Sequence, residues 1–171
     1  MRWILFVTIG LVAIVAIVVV VGYLLPKGHV ATRSATFAAA PEAIWAAITD
    51  IDKFPSWRAD VKAIERLPDR NGRMTWVENG SSGRITLAVE RSEPPRRLVL
   101  RIADPALPFG GTWTYDVAPA PAGATLTITE NGEIYNPVFR FMAKFVFGYE
   151  ATMASYLSAL EKRAAAGQLK G

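Results

Sequence analysis

The stretch Pro41–Val61, PEAIWAAITDIDKFPSWRADV, contains the point at which the chain changes its period, and the fold follows from that change. Pro41 suits the first position of a helix, and Glu42 complements the positive end of its dipole. Ile44, Trp45 and Ile48 give this helix an apolar face, and Thr49-Asp50 ends it. A second short helix is predicted around Ile51–Phe54, before Pro55-Ser56-Trp57. From Val61 onward the apolar residues recur at every second position, which is the period of a half-buried strand.

Downstream, six strands are predicted: Val61–Leu67, Arg73–Asn79, Gly83–Arg91, Arg97–Ala103, Thr112–Ala118 and Ala124–Glu133. The segments between them are rich in Gly, Pro, Asn and Asp, the residues of turns, and connections this short make antiparallel neighbours. Asn136 and Pro137 then supply a good N-cap and a good first residue for a long helix. That helix is predicted to run to about Ala165, with Phe141, Phe145, Tyr149, Met153, Tyr156 and Leu160 at helical spacing. Upstream of Pro41, Val30–Ala40 is extended in character. A curved sheet with one apolar face needs a cover, and only the last helix is long enough to supply it. The predicted class is α+β, with a sheet of about seven antiparallel strands gripping one long C-terminal helix.

Further upstream, Trp3–Leu25 reads WILFVTIGLVAIVAIVVVVGYLL without a charge. At ~1.5 Å per residue this run reaches roughly 34 Å, enough to cross a hydrocarbon core of about 30 Å. A cleaved signal needs a shorter apolar stretch, a basic leader and a small-residue cleavage site, whereas here the leader is Met1-Arg2 and Lys27 follows Leu25-Pro26. The pattern favours an uncleaved single-pass anchor. Arg2 on one flank and Lys27 with Arg33 on the other nearly balance, and the very short leader inclines the reading toward a globular part outside the cytoplasm. The expected organisation is an anchor over 1–25, a linker over 26–33, a globular domain over 34–165 and a tail over 166–171. The linker spans at most roughly 28 Å, so the domain sits close to the bilayer.

Lys and Arg exceed Asp and Glu, 19 to 15, yet the charges are scattered. Pairs such as Arg96-Arg97 are too short to form a nucleic-acid surface, so no nucleic-acid partner is expected. Cysteine is absent, which removes disulfides, thiol nucleophiles and thiolate metal sites. The only histidine, His29, lies beside the anchor, so a histidine-based proton relay, triad or metal cluster is not expected within the domain. No phosphate-binding glycine loop or other cofactor motif is present, and neither metal nor cofactor is expected.

Several segments resemble a known family. PEAIWAAITDIDKFPSWRADV, GGTWTYDV (110–117), GATLTITENGE (123–133) and YLSALEKRA (156–164) are similar to the START-like superfamily (SRPBCC), in particular its polyketide cyclase/dehydrase and lipid-transport branch. The resemblance covers roughly 31–165. It implies a helix-grip fold with a cavity under the last helix, gated by two loops that correspond here to Asn79, Gly80 and Gly83, and to Leu107, Phe109 and Gly110. Relatives include lipid carriers, quinone-binding proteins and cyclases, so the resemblance is specific for fold and not for activity.

Strand alternation places Trp76 and Glu78, Leu87, Leu100, Trp113 and Tyr115, and Ile128 and Glu130 on the face that looks at the helix. With Phe141, Phe145 and Tyr149 from the helix, the apolar members are expected to wall a ligand pocket. Glu78 and Glu130, inward at strand ends, and Tyr115 are the candidates for acid–base work, set against wet or arginine-paired carboxylates at the rim. Topology puts the turn Asn79–Gly83, the loop Asp104–Gly111, the junction after Asn131 and the anchor at one end of the sheet. Leu107 and Phe109 are therefore expected either to dip into the bilayer or to fold back as a lid. The leading functional reading is a membrane-tethered binding or transfer module for an apolar small molecule: a lipid, quinone or polyketide-like compound. The alternatives are a cyclase or hydratase using Glu78, Glu130 and Tyr115, and a ligand-free interaction protein.

Overall fold

The computed structural model of the chain describes residues 2–70 and 72–169. Helix α1 (Arg2–Leu24) leads into strand β1 (Gly28–Phe37), followed by α2 (Pro41–Thr49), a single 3-10 turn (Ile51–Lys53) and α3 (Phe54–Trp57). Six strands follow: β2 (Val61–Arg70), β3 (Arg73–Gly80), β4 (Gly83–Glu93), β5 (Arg97–Ile102), β6 (Phe109–Ala120) and β7 (Gly123–Ile134). They form one antiparallel sheet in the order β1-β7-β6-β5-β4-β3-β2. The strand that precedes the small helices thus pairs with the last strand, and α2 and α3 carry the chain from one edge of the sheet to the other. The seven-stranded helix-grip architecture is the one expected from the sequence.

Two boundaries differ from that expectation. Residues 28–33 are strand and not linker, because β1 pairs with β7 in register from Gly28↔Glu133 onward. The second difference concerns the C-terminal helix, which is not continuous. Asn136 caps α4 (Pro137–Met142) by accepting from the Val138 and Phe139 amides at 2.9 and 3.2 Å, as predicted. The helix then widens into a π turn over Ala143–Phe147 and breaks at Gly148, where φ is +74°, before α5 (Ala151–Ala165) begins. A positive φ is readily adopted by glycine and excludes further helix.

The break divides the space under the helical layer in two. Beneath α5, Met153, Tyr156, Leu157 and Leu160 form one buried stripe at helical spacing. They close over Leu98, Val117, Leu126 and Ile128 of the sheet and over Ile44 and Ile48 of α2, and this half is solid core. Beneath α4 and the π turn the layer stands off the sheet. Helix α1 meets the domain at that end: Gly22 is pressed against the Pro137 backbone, and Arg140 donates to the Leu25 carbonyl at 2.8 Å. Apart from Gly22, most of α1 is exposed apolar surface. It is long and apolar enough to cross a membrane, a property that a signal sequence shares.

Candidate functional site

Where the helical layer stands off, the sheet and the α4–π segment enclose a cavity of about 400 Å³. Its sheet wall is apolar, built from Ile85, Leu87, Leu100, Ile102, Trp113 and Tyr115. Phe139, Met142, Phe147 and Tyr149 face them from the helical side. Gly80, Gly83, Phe109 and Gly110 form the rim. A space of this size, mostly apolar with a few converging polar groups, has the character of a small-molecule site.

One polar cluster, the floor cluster, lines the cavity around Arg58, which follows α3, on the β3 side of the sheet. Its guanidinium donates to Glu78 at 3.1 Å and to Asp60 at 2.6 Å, and is sandwiched between the rings of Phe54 and Tyr156 at 5.0 and 5.1 Å. Glu78 also accepts from the Trp76 indole at 3.4 Å. Burial by itself would loosen the Arg58 proton, but the Asp60 hydrogen bond and the Glu78 charge outweigh it and hold the group cationic. Tyr115 lies in the same field, and burial pushes its phenol well above the ordinary value. It is therefore a neutral hydroxyl at physiological pH.

A second, mouth cluster is carried by β1 and β7, where α1 joins the sheet. In the β1–β7 register His29 lies opposite Gly132, and Ala31 opposite Glu130, so His29 and Glu130 are diagonal neighbours on the inner face. His29 Nε2 is 3.5 Å from Glu130 Oε1. The imidazole stacks on Tyr149, with centroids 4.0 Å apart and planes at 18°. Burial pushes the His29 pKa down and the Glu130 pKa up, the latter opposed by the Trp113 indole within hydrogen-bonding reach. Both shifts favour the uncharged forms.

Comparison with known proteins places this geometry. The profile of the family described as polyketide cyclase / dehydrase and lipid transport matches residues 28–165, from the first residue of β1 to the last of α5. The chain belongs to that family. No curated protein matches it in sequence. Among solved structures, the domain is similar to a START superfamily protein from Mycobacterium smegmatis, with TM-score 0.64, 19% identity and coverage of 80% of this chain and 97% of that one. It is also similar to the aromatase/cyclase Zhui from a Streptomyces species, with TM-score 0.61, 14% identity and coverage of 81% and 94%. A third likeness is to StfQ, the di-domain aromatase/cyclase of the steffimycin biosynthetic pathway, with TM-score 0.65 and 15% identity. There the match covers 81% of this chain and 52% of that one, so the chain spans about half of StfQ. Identities this low establish the shared fold alone.

In this member of the polyketide cyclase/dehydrase family, the residues predicted from sequence divide by depth. Leu87, Leu100, Trp113, Tyr115 and Tyr149 line the cavity, as do Glu78 and Glu130. Trp76 and Ile128 do not. Both point inward as expected, but they are core side chains with 1% and 0% exposure. Phe141 and Phe145 are also corrected: they do not line the cavity but pack against each other with ring centroids 4.9 Å apart and planes tilted by 50°, and Phe145 is 59% exposed. Their places are taken by Phe139, Met142 and Phe147, because the π turn and the break at Gly148 rotate the helix out of the assumed phase.

At the rim, Asn79 and Leu107 do not line the cavity, whereas Phe109 does. Phe109 and Leu107 are half-buried. The largest correction is His29. Its nearness in sequence to the apolar run suggested a place outside the domain, yet β1 begins before it and carries it into the cavity wall. Counting back along the inner positions Phe37, Ala35 and Ala31 would have revealed it. The two carboxylate candidates do not form one centre: Glu78 on β3 and Glu130 on β7 are separated by three strands and engage different partners, Arg58 and His29. Among the described residues, no group of three or more His, Cys, Asp or Glu side chains could hold a metal ion.

Proposed function

We propose that the protein binds or transfers an apolar small molecule, of lipid, quinone or polyketide-like chemistry, while held at a membrane by α1. The observation that carries this reading is the apolar cavity, whose lining includes His29, Glu133 and Ile134 at the end of the sheet where α1 joins. Family membership supports an apolar ligand, and the short Leu25–Lys27 connection supports a mouth close to the bilayer surface. The exposed side chains that support membrane contact are not those of the Asp104–Gly111 loop but Phe139, on the α4 helix that packs beside α1, and Phe145, Val146 and Phe147 on the π turn that continues it. Each would contribute about 1.5–3 kcal/mol if fully removed from water. Catalysis is not the favoured reading, because Arg58 already engages Glu78.

Native mass spectrometry of the full chain released from detergent tests the binding reading. A stoichiometric apolar ligand is expected, as is uptake of an environment-sensitive naphthylamine dye that Leu100→Asp abolishes in a folded protein. An interior that never carries a ligand, and dye uptake indifferent to Leu100→Asp, would overturn it.

A further inference from the structure

We propose that His29 and Glu130 form a recognition site for an uncharged hydroxyl or carbonyl group carried by an otherwise apolar ligand. The inference rests on the cavity-binding reading above and assigns the polar end of that ligand. Three independent features build the site. The register sets the two side chains diagonally across β1 and β7. Gly132 leaves the space beneath them: a Cβ there would collide with the His29 ring and stand 2.9 Å from Glu130 Oε1. Tyr149, directly after the Gly148 break, stacks on the imidazole and fixes its plane.

The pair is enclosed, with His29 and Glu130 side chains 11% and 22% exposed, and both line the cavity. At 3.5 Å their mutual contact is too long to exhaust the hydrogen-bonding capacity of either group. Polar atoms held among apolar walls with capacity left over gain most from a ligand that completes them. The charge environment selects the kind of group. Arg58, the guanidinium that lines the cavity, is taken by Asp60 and Glu78, whereas Arg33, paired with Glu150 at 2.8 Å, and Arg140, which donates to the Leu25 carbonyl, lie outside the lining. A carboxylate or phosphate entering this mouth would find a carboxyl group and an imidazole but no guanidinium free of these ties. A neutral hydroxyl or carbonyl can both accept from and donate to the pair without a buried net charge. The shifts of both groups toward their neutral forms agree with this selection.

The test compares 2-naphthol with 2-methylnaphthalene, which has the same shape without the hydroxyl. Binding to the full chain in detergent is measured by equilibrium dialysis against micelles alone. Wild type is expected to bind 2-naphthol about tenfold more tightly than 2-methylnaphthalene. His29→Phe and Glu130→Leu should each bring the ratio of the two affinities, taken within each variant, toward unity, with thermal melts to establish folding. Glu130→Gln keeps the shape and a hydrogen-bonding end, and should retain part of the preference even if Glu130→Leu fails to fold. Because His29 is the only histidine, ¹⁵N-histidine labelling gives a single imidazole whose signals should move with 2-naphthol and not with 2-methylnaphthalene. Equal affinity for the two probes in wild type, or a preference undiminished in folded His29→Phe or Glu130→Leu protein, overturns the assignment while leaving the cavity reading intact. Failure of both probes to bind overturns the cavity reading, and this assignment with it.

Discussion

Two carboxylates face the same cavity from equivalent positions near strand ends, and their surroundings make them different groups. Glu78, at the floor, is met by a guanidinium that also binds Asp60 and lies between two aromatic rings. Glu130, at the mouth, meets an imidazole at 3.5 Å and an indole, with no cation in contact except when His29 is protonated. The first arrangement is closed: every donor is directed at a partner, and its role is to seal and hold the cavity. The second is unfinished and can respond to what enters. Position on the inner face therefore says little about the work a carboxylate does, and the identity of its first partner decides it.

The difference is broken most severely at the floor. Arg58→Met removes the partner of a buried Glu78, and the loss of an ion pair that leaves a charge behind is expected to cost about 3–5 kcal/mol. Chemical denaturation of the full chain in detergent would measure it, and Arg58→Met combined with Glu78→Met should recover much of the loss. A single variant as stable as wild type would show that the floor cluster is not a closed ion pair.

The sequence made some of this legible. Period-two alternation put both glutamates, Leu87, Leu100, Trp113 and Tyr115 on the correct face, because alternation is a local property of the strand. Depth along the strand was not legible, since it depends on where the helical layer touches down, and so Trp76 and Ile128 were assigned to the cavity. The touchdown point depends in turn on Gly148, whose break was masked by aromatic residues spaced like a continuous helix. Arg58 lies in a loop after Trp57, and nothing local marks it as the partner of a residue on β3. His29 stands beside the apolar run, which suggests a place outside the domain, and only the β1–β7 pairing shows that it belongs to the cavity wall.

Gly132→Ala is the next largest effect and acts only on the mouth. The new methyl group displaces the imidazole from its place on Tyr149, and such overpacking is expected to cost about 1–3 kcal/mol. The His29 ring signals should lose the ring-current shift given by Tyr149, while the floor cluster stays as it was. Unchanged stability and an unchanged imidazole spectrum would show that Gly132 is not the cradle described. Phe145→Asp is expected to do less still. Phe145 is exposed and outside the cavity, so dye binding should stay within about twofold of wild type, the usual range for a surface change. Loss of dye binding in a folded Phe145→Asp protein would restore a continuous helix with Phe145 in the wall.

The smallest expected effect reads the mouth through pH. Burial raises the Glu130 pKa above its ordinary 4.5, so the folded protein holds that proton longer than the unfolded chain does. Its contribution to stability is complete below the ordinary carboxyl value and is lost as pH rises through the raised one. Glu130→Gln removes this dependence while retaining an acceptor for the Trp113 indole. Relative to wild type, the variant should therefore gain stability from pH 4 to pH 8. His29 acts in the opposite direction: its lowered pKa means that stability is present above 6.5 and is lost as pH falls through the depressed value. The groups facing Glu130 are His29 and Trp113, with Tyr149 behind the imidazole, so repeating the comparison in a His29→Gln background isolates the carboxyl group. Arg58 stays charged over the whole range, and the floor contributes nothing to this window through its guanidinium. Melting curves for wild type and Glu130→Gln that stay parallel from pH 4 to pH 8 would mean that Glu130 is as well solvated as a surface carboxylate, and the contrast between mouth and floor would reduce to one of distance from the opening.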